Sequence, residues 1–391
     1  MDTELAAMPV IDVDSHYTEP RDLWTSRAPQ KLRDRVPRVA ETPEGVEQWM
    51  LGDQLLGPLG FTVIRKDGSK SYGVISLPRF EEMSAAATEP EARLRVMDEF
   101  GLTAQIVYPN ILGFAGIQMM KVEAAELRSF CISAYNDAAA EFQRAGRGRL
   151  FPQAIVPFWD VQEAVKELKR CHDKLGLTGF TMTDAPEVWN LPYLNEPHWD
   201  PLWAEAQERG LPVSFHIGSS TFPALWPGLD PSRGAGIAAT SAMLFMNNMR
   251  CLTQLIFSGL LDRFPRLKFV SVESGIGWIP FMLEACEYQM DQNMVDRGGL
   301  KLRPREYFRR QIYASYWFET ANTRNSLEQL GGDNVMFETD FPHPTCLYPE
   351  IREQVQTSLA GFDRSLQRKV LYETAAKVYN LPLSVTSLKS T

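Results

Sequence analysis

Histidine is scarce in this chain. Its 391 residues include five: His16, His172, His198, His216 and His343. Any metal site that relies on imidazole must draw on that short set. The five cysteines, Cys131, Cys171, Cys251, Cys286 and Cys346, contain no C-x-x-C spacing and are odd in number, so the reading is free thiols in a reducing compartment. No window approaches the ~18 apolar residues of a membrane span. The N-terminus, Met1-Asp2-Thr3-Glu4, lacks the basic and apolar stretches of a signal peptide. A cytoplasmic protein with no membrane partner is expected. The net charge is −9, and Lys and Arg form no long stripe, so nucleic acid is not an expected partner. No G-x-G-x-x-G follows an early strand, which weakens a dinucleotide-binding reading. No repeat or linker divides the chain, so residues 1–391 are expected to form one domain.

What the chain does have begins at Val10. Val10-Ile11-Asp12-Val13-Asp14-Ser15-His16 suits a short strand, and residues two apart on a strand face the same side. Asp14 and His16 can therefore aim a carboxylate and an imidazole at one point. Residues 21–88 follow with no sustained period, and a connection of that length reads as a cap inserted over the site. Helical and strand patterns then alternate. Strands are predicted at 103–109, 149–156, 178–182, 211–216, 267–273, 311–315 and 334–340. Helices are predicted at 89–101, 121–145, 160–175, 199–209, 240–263, 277–290, 321–330 and onward to about Tyr379. With the first strand, that makes eight. The pattern predicts an α/β fold, a closed (β/α)8 TIM barrel, with an open doubly wound sheet as the alternative.

The strand ends carry the polar residues. The first ends Asp14-x-His16, the fifth on His216, the sixth on Glu273 and the eighth on Asp340. Chemistry in such a barrel sits at the C-terminal ends of the strands. Asp14, His16, His216 and Asp340 form a ligand set of two imidazoles and two carboxylates, suited to Zn²⁺, Mn²⁺ or Fe²⁺. Glu273 is a fifth ligand, a ligand to a second metal, or a general base. One or two divalent metals per chain are expected. His343, three residues past Asp340, is placed to touch substrate or to orient a ligand. Tyr17, Trp24, Tyr108, Phe114, Trp189 and Trp226 lie on strand-end segments, and they predict an aromatic, apolar mouth for a small molecule.

These stretches, with Tyr135-Asn136, Trp199-Asp200-Pro201-Leu202-Trp203, Leu211-Pro212-Val213-Ser214-Phe215-His216, Glu273-Ser274-Gly275-Ile276-Gly277-Trp278 and Glu338-Thr339-Asp340-Phe341-Pro342-His343-Pro344, resemble the amidohydrolase-related family. That family includes the aminocarboxymuconate-semialdehyde decarboxylase group. The resemblance implies a distorted barrel with metal at the strand ends, in hydrolases, non-oxidative decarboxylases or hydratases. Two departures stand out. Asp14-x-His16 replaces the His-x-His or Glu-x-His of many members, and Glu273 stands where the decarboxylases carry a catalytic histidine. The fourth strand, Thr181-Met182-Thr183-Asp184, offers no lysine for carbamylation.

Glu273 shifts the expectation toward metal-dependent hydrolysis of an ester, thioester, amide or lactone on a bulky apolar substrate. Asp340 then orients the nucleophile and takes its proton. Non-oxidative decarboxylation is the alternative, and a non-catalytic binding barrel the third. A homodimer is expected, with the helical tail after about Glu350 as its interface.

Overall fold

Twelve strands carry the architecture of the computed structural model, which describes residues 2–294 and 299–382. In chain order they are β1 (Val10–His16), β2 (Pro37–Glu41), β3 (Glu47–Leu51), β4 (Gln54–Gly57), β5 (Leu102–Tyr108), β6 (Leu150–Pro152), β7 (Ala154–Ile155), β8 (Phe180–Thr181), β9 (Val213–His216), β10 (Phe269–Val272), β11 (Ile312–Tyr316) and β12 (Val335–Phe337). The run β12-β11-β10-β9-β8-β7 and the run β1-β5-β6 are parallel throughout. Two joints close them into one barrel. At the first, β6 pairs with β5 while β7, one residue on, pairs with β8, so residues 150–155 act as a single barrel strand. Asn136 bonds both the carbonyl and the N–H of Ile155 at 2.9 and 3.0 Å, filling the polar groups left by that change of partner. At the second, the His16 N–H donates to Phe341 O at 2.7 Å and the Asp340 N–H to Asp14 O at 2.8 Å.

The barrel strands are buried along their whole length, as expected for parallel strands covered by helices. Local chemistry sets the helix limits. Asp160 accepts from the N–H groups of Gln162 and Glu163 and starts the helix Val161–Arg170. Gly101, at φ 65°, ends the helix Pro90–Phe100 in the left-handed conformation that a residue with a Cβ resists.

The structure departs from the sequence pattern in three places. Residues 21–88 are not featureless: β2, β3 and β4 form an antiparallel sheet with Trp49 fully buried behind it. The helix expected at 240–263 starts earlier, runs Gly234–Phe257, and is broken by Gly259 at φ 74° before a short turn at Leu260–Arg263. The last strand stops at Phe337, and the backbone turns left-handed at Asp340.

The C-terminal helices are packed onto the barrel itself. Ile351, Val355, Leu359, Val370 and Leu371 are fully buried, and the Tyr379 hydroxyl reaches the Tyr108 hydroxyl at 3.2 Å inside the barrel. Their apolar faces are thus covered within the chain. Among the described residues no helix is long and apolar enough to cross a membrane.

Candidate metal centre and active site

β1 sets the site. Asp14 and His16 lie two apart on it, with no exposed side-chain surface. The His16 carbonyl is held from behind by Arg93, whose Nη2 donates at 2.6 Å; Nε donates to Ala86 O at 2.5 Å and Nη1 to Gln105 Oε1 at 3.2 Å. His216, at the end of β9, faces them. Its Nδ1 donates to Ile217 O at 2.8 Å, so the neutral ring turns the lone pair of Nε2 inward. Glu273 follows β10 and Asp340 follows β12.

The donor atoms converge. His16 Nε2 lies 3.3 Å from His216 Nε2 and 3.3 Å from Asp340 Oδ1. Asp14 Oδ1 lies 3.4 Å from both imidazole Nε2 atoms, and Glu273 Oε2 lies 3.4 Å from that of His216. Both oxygens of Asp14 and Oδ1 of Asp340 are buried without a hydrogen-bond partner. Such spacings match the edges of a coordination polyhedron with bonds of about 2.0–2.4 Å. Buried carboxylates without donors are costly, and one divalent cation removes that cost. The residues therefore fit a metal. Among the described residues, the groups that could hold one, Asp14, His16, His216 and Glu273, and His16, Glu273, Asp340 and His343, share members and form a single cluster.

The electrostatics agree. Burial, then Asp340 and Asp12, push the Asp14 carboxyl well above the usual carboxylate range. Burial and the neighbouring acids Asp340, Asp14 and Glu338 do the same to Glu273. For Asp340 burial acts upward too, but His343 and His16 outweigh it and hold the carboxyl below that range. Burial pushes the His216 imidazole down to about 4, which keeps it a neutral ligand.

His343 joins the cluster from the side. Its Nδ1 lies 3.0 Å from Asp340 Oδ1, and its Nε2 lies 2.8 Å from Asn110 Oδ1. The Asn110 amide nitrogen faces Tyr17 O, which fixes the amide orientation and makes His343 Nε2 the donor in that pair. His172 and His198 lie outside the cluster.

A cavity of about 220 Å³ opens directly above. Glu273, His343, Asn110 and Thr345 line its floor, and Phe61, Phe114, Leu244 and Phe245 its walls. Phe114 lies over the His216 ring, with centroids 4.0 Å apart.

Five of the six aromatic residues expected at the mouth are elsewhere. Tyr17 packs on Phe142 and borders a different surface hollow. Trp24 is fully buried, donates to Cys131 O at 2.9 Å and meets Trp49 edge-on. Tyr108 is inside the barrel, its hydroxyl 3.0 Å from Ser214 Oγ. Trp189 packs on Phe158, and Trp226 is 84% exposed. Large rings near a strand end pack loops together as readily as they face a ligand, and sequence position does not separate the two.

Sequence reasoning also missed residues. Asp12 shares the face of Asp14 and His16, and its alternation on β1 was the available signal. It accepts from Thr339 N at 2.8 Å, Thr339 Oγ1 at 2.6 Å and Gln105 Nε2 at 2.8 Å. Glu338 lies under Glu273 and accepts its N–H at 3.3 Å. Arg93, Asn110 and Thr345, the last donating to Asp340, carried no signal of their own.

Residues 11–381 match the amidohydrolase family. The chain belongs to that family. Within it, the chain is similar to the gamma-resorcylate decarboxylase of Rhodococcus jostii, 28% identical over 286 residues that cover 70% of this chain and 83% of the relative. Its fold is similar to that of an amidohydrolase from Mycobacterium avium subsp. paratuberculosis, with a TM-score of 0.71 and 22% identity over 95% of this chain and 98% of that one. It is also similar to a dihydroxybenzoic acid decarboxylase from Polaromonas, solved with manganese and the inhibitor 2-nitroresorcinol, with a TM-score of 0.60 and 16% identity over 96% and 98%. The curated relatives overturn the expectation of hydrolysis: they include gamma-resorcylate decarboxylase and 2-amino-3-carboxymuconate-6-semialdehyde decarboxylase. Glu273 in place of a histidine does not exclude decarboxylation: carboxylates and imidazoles both carry protons, and burial brings their ranges together.

Proposed function

We propose that this protein is a metal-dependent, non-oxidative decarboxylase of a small aromatic carboxylic acid. The observation that carries the reading is the contact between a buried cluster of five metal-type donors and a cavity of aromatic-ring size with two proton-carrying side chains in its floor. The decarboxylase names of the relatives point the same way. In this reading Asp14, His16, His216 and Asp340 hold a divalent ion, with manganese the first choice on the precedent of the Polaromonas structure and compatible with a donor set of two imidazoles and two carboxylates. Such an ion would supply a fixed positive charge to hold the substrate's carboxylate.

The chain's own residues supply the proton. Glu273 sits in the cavity floor with one oxygen toward His216 and the carboxyl group facing the space above. It donates its proton to the ring carbon that bears the carboxylate. The carbon–carbon bond then breaks, its electron pair returns to the ring, and carbon dioxide leaves. Water restores the proton to Glu273. His343 is a positioning residue: Asn110 accepts from its Nε2 and holds the ring against the donor cluster, with Nδ1 3.0 Å from Asp340 Oδ1. The apolar walls exclude water from the charged ring. A cap built from residues 21–88 contributes Leu56, Pro58, Phe61 and Ile75 to those walls.

The test is carbon dioxide release from hydroxybenzoates by the manganese-loaded protein, followed by chelation and reloading. Release that stops on chelation and returns with manganese supports the reading. Hydrolysis of esters without release from any aromatic acid rejects it. A homodimer is also proposed, and light scattering showing a monomer at micromolar concentration rejects that.

A further inference from the structure

We infer that the substrate carries a single carboxylate and, at the opposite end of its ring, a short apolar group with no second anion. This deepens the decarboxylase reading and rests on it. The argument starts from what lines the cavity. Among the described residues no Lys or Arg lines it, and the carboxylate that does is Glu273. A second anion entering this space loses its hydration, gains no cation and faces Glu273; each of those effects opposes binding. Arg93 is no substitute, because its guanidinium is turned away to the His16 and Ala86 carbonyls and Gln105.

The walls favour an apolar group instead. The helix Gly234–Phe257 presents Ile237, Thr240, Ser241, Leu244 and Phe245 to the cavity, a spacing of three and four that marks one helix face. That helix is tied to the metal-bearing strands. Asn248 Nδ2 donates to Phe215 O at 2.9 Å and to Ser271 Oγ at 2.9 Å, so the selecting wall and the strand ends keep a fixed separation. The unpaired polar atoms bordering the cavity are neutral: Gln118 Oε1 and Thr240 Oγ1 are buried and lack partners. Gln118 Oε1 only accepts and suits a hydroxyl, and the Thr240 hydroxyl is a single neutral donor that offers a carboxylate no countercharge. Size sets the limit. A cavity of ~150 Å³ admits a benzene ring, so the cavity of about 220 Å³ leaves room for a ring and a short branch.

The experiment uses the full, manganese-loaded chain and three probes: 2-hydroxybenzoate, 4-isopropyl-2-hydroxybenzoate and 2-hydroxyterephthalate. Calorimetry gives each Kd, and carbon dioxide release is followed separately. The isopropyl compound should bind about tenfold or more tighter than the terephthalate. Thr240→Arg, with Leu244→Arg as a second variant checked for folding by circular dichroism, should narrow or reverse that ratio. Equal or tighter binding of the terephthalate to the unmodified protein overturns the inference, and so does failure of all three probes to bind below millimolar. Selective binding of the isopropyl probe without carbon dioxide release from any of the three supports the pocket inference and rejects the decarboxylase reading.

Discussion

Glu273 and Asp340 share a backbone state that residues with a Cβ seldom adopt: φ is 55° at the first and 59° at the second. Glu273 directly follows β10, and Asp340 lies three residues past the end of β12. Both carboxylates reach one cluster, Glu273 beside His216 and Asp340 beside His16. Strain of this kind costs about 1–3 kcal/mol per residue and persists where the surroundings over-determine it.

Glu273→Gln keeps that shape and removes the proton. The decarboxylase reading expects kcat for carbon dioxide release to fall by roughly 10²-fold or more, the scale for losing a positioned acid. Metal content should stay at about one ion per chain, with the ion held by the other four residues. Near-normal kcat removes Glu273 from the mechanism, and loss of the metal reassigns it as a ligand.

The ligand set has its own test. His16→Ala and His216→Ala each take away one inward Nε2. Both variants should purify with little manganese after reloading, by elemental analysis, and with unchanged far-ultraviolet circular dichroism. Stoichiometric, tightly held metal in both rejects the assignment.

Asp12 closes the barrel instead of binding metal. Asp12→Asn keeps an acceptor for the Thr339 N–H but turns an amide against the Gln105 amide and the Thr339 hydroxyl. Leaving buried donors unsatisfied costs about 1–3 kcal/mol. Urea unfolding should show that loss, and an unchanged midpoint contradicts the role.

Glu19 gives a pH dependence. It is buried against the N–H groups of Asn110 and Ile111, and burial pushes its carboxyl up to about 7 from an ordinary 4.5. Between those values the folded chain holds a proton that the unfolded chain has released. Stability from this group is therefore full below about 4.5 and is lost as pH rises through 7. Glu19→Gln has no such proton. Its stability relative to the parent should rise across that window by about 3 kcal/mol at most. A flat difference in urea unfolding across the window counts against this.

Much of this was legible in the chain because the relevant signals are local. The two-residue step from Asp14 to His16 and the strand-end positions of His216 and Asp340 need only strand periodicity. The change of partner at Gln153 was not legible, since it depends on Asn136 from a helix earlier in the chain. Nor was the cavity wall. Ile237 and Thr240 fall in a stretch whose helical start at Gly234 has no capping side chain to announce it. The aromatic residues misled because a ring's burial says nothing about which side of the barrel it is buried on.

The clasp between Asp12 and Thr339 joins positions 327 residues apart. Asp14 arrives with one end of that span and Asp340 with the other. A chain still emerging from the ribosome, with Asp340 yet to appear, holds only part of the donor set. On the proposed reading, the complete ligand set exists only once that ring has closed.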